Sequence, residues 1–202
     1  MALSDGETAG PPNGSAMPIA STTRTPHDGA RERLRALGAA AFAHVNGSLE
    51  RHLHGTERLL RRFGNREAVC LAGLYHAVYG TAGITGRLVD ADARDAIVAI
   101  IGAEAEDLAY LYGACDRERF HPRIGSPLQR LFIDRFSGAQ YRLSEPQFAG
   151  FCEITLANEV ELALDNADFR KRHADELMHL FERMRNVVSA AAYATAQQVF
   201  QS

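Results

Sequence analysis

The chain has 202 residues, of which 46% are hydrophobic and 23% are charged, and its formal net charge is -3. These values are ordinary for a globular protein and predict one domain with a sizeable core. The small negative charge, with arginines scattered among acids, argues against partners such as nucleic acid or an anionic membrane. No apolar run approaches the roughly 20 residues that span a bilayer, and the N-terminus lacks a signal pattern. The three cysteines have no C-x-x-C spacing, which favours reduced thiols in the cytoplasm.

Residues 1–28 are rich in Gly, Pro, Ser and Thr and have almost no apolar periodicity. Such a segment cannot offset its ordering entropy by burial, so we expect a disordered tail followed by one helical domain over residues 29–202. Apolar residues at helical spacing from Leu34 to Val45 then predict a first helix. Ser48 is a typical N-cap for the next helix, and Gly64 is a natural stop for it.

The middle of the chain predicts a buried helix and then two short ones. Residues 69–79 are almost all apolar and are expected to lie in the centre of the core. After a glycine-broken loop over residues 80–86, two short helices are predicted at 93–101 and 104–112, separated by Gly102. Residues 113–143 are the least regular, with one helical turn expected over 128–136. Loops of this length often line binding sites.

The C-terminal third predicts two long helices. Ser144 and Gln147 form a capping box that tolerates Pro146 in the first turn, and this helix is expected to run to Leu164. A last helix is predicted over 169–191. The alanine-rich apolar segment 187–200 fits either a homodimer surface or a packed core helix. Because strand alternation is lacking, the predicted fold class is all-α, a compact helical bundle with a long C-terminal helix.

Two histidines lie on the consecutive helices predicted between residues 48 and 79. Each histidine is part of a short motif. The first motif is His52, Thr56 and Leu60, and the second is Ala72, Leu74 and His76. This pattern resembles the opening of the HD-domain metal-dependent phosphohydrolases, which read roughly H-x-x-x-V/T-x-x-x-L, turn, A-x-L-x-H-D. The stretch around His76 is also similar to the G-L-F/Y-H-x-V-Y-G-T signature of an uncharacterised HD-like family. The resemblance implies an HD-like helical bundle.

In the HD family the first histidine, the His-Asp doublet and a later aspartate hold divalent metals that activate water. Here Ala77 takes the place of the doublet's aspartate, and Asn158 takes the place of the later one. Two neutral imidazoles and an amide bring no negative charge to offset a dication, so hard ions such as Mg²⁺ would bind poorly. The resemblance therefore implies a degenerate metal site, and phosphohydrolysis is disfavoured.

Two kinds of chemistry remain open for an enzyme at this site. In the first, His52 and His76 hold iron or zinc with a carboxylate from Glu161, or from Asp134 as the second candidate, as in an oxygenase or hydrolase. In the second, no metal is bound and the two histidines form a general acid–base pair. Tyr79 and Asn158 are the further candidate catalytic residues.

The acid–base alternative suits isomerisation, elimination or cyclisation of a small organic substrate. A different class of function is a non-catalytic module that uses the helical bundle to bind a ligand or partner. The sequence leans toward the enzyme, because burying two imidazoles carries a desolvation penalty unless each finds a partner. Both interpretations require the rings of His52 and His76 to converge on one solvent-reachable cavity.

Overall fold

A computed structural model describes residues 26–44, 47–82 and 86–201. Within these residues the chain forms nine α-helices, one 3-10 turn and two small antiparallel hairpins, which confirms the all-α class. None of the helices in this part of the chain is both long and apolar enough to cross a membrane. The helices are α1 (Pro26–Ala36), α2 (Leu49–Arg62), α3 (Glu67–Tyr75), α4 (Arg94–Ile101), α5 (Ala103–Ala114), α6 (Arg117–Phe120), α7 (Glu145–Leu164), α8 (Ala167–Met184) and α9 (Ala190–Phe200). The strands are β1 (Ala43–His44), β2 (Gly47–Ser48), β3 (Leu131–Ile133) and β4 (Gln140–Arg142).

The first helix lies earlier in the chain than the sequence predicts. α1 begins three residues before the expected domain boundary at residue 29, while residues 1–25 of the predicted tail lie outside the described residues. It also ends at Ala36 instead of continuing toward Val45. Gly38 has φ +94, a left-handed conformation that ends helices, and the chain then enters the hairpin of β1 and β2.

The third helix is shorter than predicted. α3 ends at Tyr75, and residues 76–79 form turns in place of the helix expected up to Tyr79. The Val78 carbonyl accepts hydrogen bonds from the backbone of Leu88 and Val89, so this part of the chain is held by the loop after it. His76 consequently lies at the C-cap of α3 and not on the face of a continuing helix.

A hairpin replaces the helical turn expected over residues 128–136, so that prediction is wrong. Strands β3 and β4 pair with Phe132 opposite Tyr141. The Asp134 carboxylate accepts hydrogen bonds from the backbone of Phe136 and Ser137, and Gly138 has φ +75. These contacts close a tight turn, and strands of three residues are too short to give a readable alternation.

Several predicted boundaries are confirmed. Ser48 caps α2 by accepting a hydrogen bond from the backbone of Arg51, and Gly102, with φ +83, separates α4 from α5. The capping box of Ser144 and Gln147 opens α7. These signals are local, so they do not depend on which other elements lie nearby.

The predicted continuous C-terminal helix is wrong, because it is divided into α8 and α9. Ser189 caps α9, and its backbone N–H donates to the buried carboxylate of Glu153 on α7. α9 packs against α7 and α8, with Phe200 5.8 Å from Phe181 between ring centroids. The segment 187–200 therefore contributes to the core of its own chain.

Helix α7 lies at the centre of the core and contacts α2, α3, α5, α8 and α9. α2 and α3 pack closely because Gly73 has no side chain. A Cβ atom at Gly73 would lie 2.1 Å from Cδ1 of Leu60. This close approach brings His52 of α2 near His76, with α7 against both helices.

Candidate functional site

A cavity lies among the β1–β2 hairpin, α2, the turn after α3, α6 and α7. Its empty space, including the part that is open to solvent, is about 610 Å³. Apolar side chains form much of its wall, among them Phe42, Leu49, Leu88 and Leu162. The polar side chains of the wall include His44, His52, His76, Arg87, Arg117 and Asn158. A mostly apolar pocket with a few convergent polar groups is typical of small-molecule sites.

His52 is held by two side chains of α7. Its Nδ1 is hydrogen-bonded to the carboxylate of Glu161, and its Nε2 lies 3.0 Å from Oδ1 of Asn158. The amide nitrogen of Asn158 donates to Oε1 of Glu159 at 2.9 Å, which turns the amide oxygen toward the ring. The hydrogen-bond network therefore assigns a proton to Nε2 of His52, and a second proton is shared between Nδ1 and Glu161.

A glycine in α2 makes room for the carboxylate that holds His52. A Cβ atom at Gly55 would lie 2.6 Å from both Cγ and Oε1 of Glu161. Real side chains do not approach so closely, so any larger residue would displace Glu161. The small residue in the helix is thus matched to the position of the carboxylate on α7.

His76 has the opposite protonation pattern. Its Nδ1–H donates to the carbonyl of Gly73 at 2.7 Å, which leaves Nε2 without a proton. The ring lies edge-to-face with His52 at 5.2 Å and with Tyr112 at 4.9 Å. Burial, with the nearby His52, holds the pKa of His76 well below its ordinary value. A neutral imidazole with an unprotonated Nε2 therefore stands beside one that carries a proton toward Asn158.

His44 is a third imidazole of the site that sequence reasoning missed. Its ring stacks on that of His52, with 4.2 Å between centroids and 15° between planes. Burial and the proximity of His52 lower the pKa of His44 to about 4. Its Nδ1 is buried and has no hydrogen-bond partner among the described residues. A two-residue strand carries no sequence signal, so His44 was not identifiable from periodicity.

Arg117, at the start of α6, was also missed. Its guanidinium lies 4.9 Å from the centroid of the Tyr112 ring, and its Nη1 is 3.8 Å from Oε1 of Glu159. Burial raises the pKa of Glu159, and Arg117 opposes this effect. The only sequence signal was that Arg117 follows an N-capping aspartate in the irregular region, which does not indicate a site.

Tyr79 and Asp134 are not brought to this cavity. The hydroxyl of Tyr79 donates to Glu106 at 2.7 Å, because the chain leaves the helix at Tyr75 and the one-turn spacing from His76 is lost. Asp134 closes the β3–β4 turn and accepts from the hydroxyl of Tyr110 at 2.9 Å. The structure thus joins His52, His76, Asn158 and Glu161 and places the other two candidates elsewhere.

The donor set does not fit a divalent metal ion. Both ring nitrogens of His52 are engaged by protein groups, and Glu161 lies on Nδ1, where it orients the ring. Ala77, in the place of the doublet's aspartate, adds only an apolar surface to the cavity wall. In the described part of the chain, no group of three or more His, Cys, Asp and Glu side chains is arranged to hold a metal ion.

The fold and the cavity define an all-α protein with a buried histidine site. Residues 33–117 match the family model described as Domain of unknown function (DUF6817). That match covers less than half of the chain; it includes His44, His52 and His76 and ends at Arg117, without α7. Searches of curated proteins and of solved structures found no match to the chain. The chemistry must therefore be inferred from the geometry of the site.

Proposed function

We propose that the chain is an enzyme that transforms a small organic molecule in this cavity by acid–base chemistry. The observation that carries the proposal is the hydrogen-bonded series Glu161–His52–Asn158, which ends at a cavity that also contains the neutral His76. A carboxylate on one ring nitrogen holds an imidazole in place and stabilises its protonated form. Such an arrangement serves proton transfer from the other nitrogen.

The two imidazoles have complementary roles in this proposal. His76 accepts a proton from the substrate at Nε2, which is free of hydrogen because Nδ1–H is committed to Gly73. His52 donates the proton on Nε2 to a second substrate atom, which displaces the Asn158 oxygen from that nitrogen. After this transfer His52 keeps only the proton on Nδ1, hydrogen-bonded to Glu161, so its ring is neutral. Proton removal at one atom and addition at another gives isomerisation, elimination or cyclisation.

His44 supports this chemistry by covering one face of the His52 ring. A neutral stacked ring excludes water from that face without adding a competing charge. Asn158 orients the Nε2–H of His52 until substrate enters. The candidate roles of His52, His76 and Asn158 therefore belong to one mechanism, in which Glu161 is a positioning residue.

We also propose that this helical bundle is a degenerate member of the HD-domain superfamily. Its support is that the two histidines come from consecutive helices packed through Gly73, with Asn158 from a later helix against His52. We further propose a cytoplasmic location, which the three free and buried cysteines support.

The function is tested by incubating the purified protein with a complex metabolite extract and following the mixture by mass spectrometry. We expect the wild type to convert a compound to an isomer or to a product that has lost a small neutral molecule. His52→Gln and His76→Gln should lose this conversion. His54→Gln is the matched control, because His54 lies on the same helix but outside the cavity wall.

Two outcomes would contradict the acid–base enzyme. A compound retained by the wild type chemically unchanged would favour the binding module. Stoichiometric iron or zinc in the purified protein, absent from a His52→Ala, His76→Ala double variant, would instead support metal chemistry at the same residues. Elemental analysis of both proteins decides this second point.

A further inference from the structure

The wall of the cavity is basic as well as apolar. It contains Arg87 and Arg117 beside the three imidazoles, and none of the described residues that line it is acidic. Glu159 and Glu161 touch wall residues from behind but do not line the space themselves. A ligand in this cavity therefore meets hydrocarbon, imidazoles and guanidinium groups, without a carboxylate that would repel an anion.

Arg117 is a largely buried arginine with only a distant carboxylate partner among the described residues. Its side chain is only 25% exposed, and its carboxylate contact, with Glu159, is long at 3.8 Å. That carboxylate oxygen already accepts a hydrogen bond from Asn158 at 2.9 Å. A guanidinium has five N–H donors. Contacts with Tyr112 and one distant carboxylate leave some of these donors without an acceptor.

Several other arginines of the described residues have close carboxylate partners. Arg94 donates twice to Glu106, at 2.8 and 2.6 Å, and Arg61 donates to Glu57 at 2.7 Å. Arg87, the second arginine of the cavity wall, is exposed and paired with Asp90. Burying a charge without a close partner carries a desolvation penalty. A bound anion would offset this penalty for Arg117.

We propose that the substrate is a small monocarboxylate whose acid group binds Arg117 and whose apolar body lies against Phe42 and Leu49. The inference rests on the proposed function of the same cavity and names its substrate class. One uncommitted guanidinium matches the planar, singly charged carboxylate, since its parallel N–H groups bind two oxygens at once. A phosphate would bring a further charge, for which the described residues of the wall offer no second arginine without a carboxylate partner.

Calorimetric titration tests the substrate class with hexanoate and benzoate as probes and with hexanamide and benzamide as neutral counterparts of the same shape. We expect the wild type to bind at least one acid about tenfold or more tightly than its amide, as charge-assisted hydrogen bonds contribute roughly 1.5–3 kcal/mol. Arg117→Gln should abolish this preference, and Arg117→Lys should keep part of it. Arg119→Gln is the matched control, because Arg119 lies on the same helix but outside the cavity wall, and it should change affinity by less than about threefold.

The outcomes separate this inference from the proposed catalysis. Equal affinity for acid and amide, or a preference that survives Arg117→Gln in a variant with wild-type circular dichroism, would overturn the carboxylate site. Tighter binding of hexyl phosphate than of hexanoate would overturn it as well. Arg117-dependent binding of acids that is unchanged in His52→Gln would uphold it. If the wild type then converted no compound, the proposed catalysis would fail while the carboxylate site stood.

Discussion

At the scale of single residues, the two central histidines are distinguished by what each ring nitrogen contacts. His76 gives its Nδ1 proton to a backbone carbonyl, whereas His52 is held on both sides by side chains of α7. Backbone contacts fix a tautomer permanently, while side-chain contacts can be exchanged for a substrate. This asymmetry is the reason for assigning the base to His76 and the acid to His52.

Gly55→Ala should reduce turnover with only a small loss of stability. The new Cβ would meet Glu161 at 2.6 Å and push its carboxylate away from His52. Alanine within a helix is favoured over glycine by about 1 kcal/mol, which offsets part of the strain. We expect conversion to fall by roughly 10²-fold, the lower range for general acid–base catalysis, with hexanoate binding retained.

Glu161→Gln is the matched comparison for Gly55→Ala. Glutamine keeps a group that bonds Nδ1 of His52 but lacks the charge, so its turnover should fall to a similar level. Conversion rates and urea unfolding of the two variants and the wild type provide the measurement. Wild-type turnover in Gly55→Ala would mean that the carboxylate does not position His52 for catalysis.

Four of the six site residues discussed above, His52, His76, Asn158 and Glu161, could be predicted from the sequence. His52, His76 and Asn158 were identified by the resemblance to the HD-domain pattern, and Glu161 by its place one helical turn after Asn158. His44 and Arg117 were not predictable, because they reach the cavity from a two-residue strand and from a four-residue helix. Neither element has a periodic pattern that indicates which way a side chain points.

At the scale of elements, the contact between α2 and α3 depends on Gly73. Gly73→Ala should destabilise the protein by about 1–3 kcal/mol, because its Cβ would lie 2.1 Å from Cδ1 of Leu60 in a packed core. Gly29→Ala is the matched control. No atom lies within 4 Å of a Cβ at Gly29, so helix propensity alone should raise stability by roughly 0.5–1 kcal/mol.

Urea unfolding followed by circular dichroism measures both changes. The opposite signs expected for two Gly→Ala substitutions in helices separate packing from propensity. Equal effects in the two variants would show that α2 and α3 do not approach as closely as the Gly73 geometry requires.

Element boundaries were predictable where local chemistry sets them. The capping residues Ser48 and Ser144 and the break at Gly102 required no knowledge of the tertiary structure. The division between α8 and α9 was missed because it depends on Glu153, a buried carboxylate of α7 that binds the backbone of Ser189. Contacts between residues 36 positions apart cannot be inferred from the spacing of apolar residues.

At the scale of the whole molecule, the buried histidines make stability depend on pH. Burial, Arg117 and Arg183 lower the pKa of His121 to about 4, and burial and His52 lower that of His44 to about 4. His76 is shifted in the same direction. In the unfolded chain these groups titrate near 6.5, so between pH 6.5 and 4 the unfolded state binds more protons.

Stability should therefore fall as the pH is lowered through this window, by up to about 1.4 kcal/mol per pH unit for each such histidine. His121 is one of these groups and lies outside the proposed catalytic set. Its Nε2 is buried without a hydrogen-bond partner among the described residues, and His121→Gln removes it. We expect this variant to lose less stability than the wild type between pH 6.5 and 4.5.

His179→Gln, a substitution at an exposed position of α8, should keep the wild-type slope. Urea unfolding at pH 7.5, 6.5, 5.5 and 4.5 measures the slopes. Identical slopes for His121→Gln and the wild type would mean that His121 takes up a proton in the folded protein, beside two arginines that disfavour it.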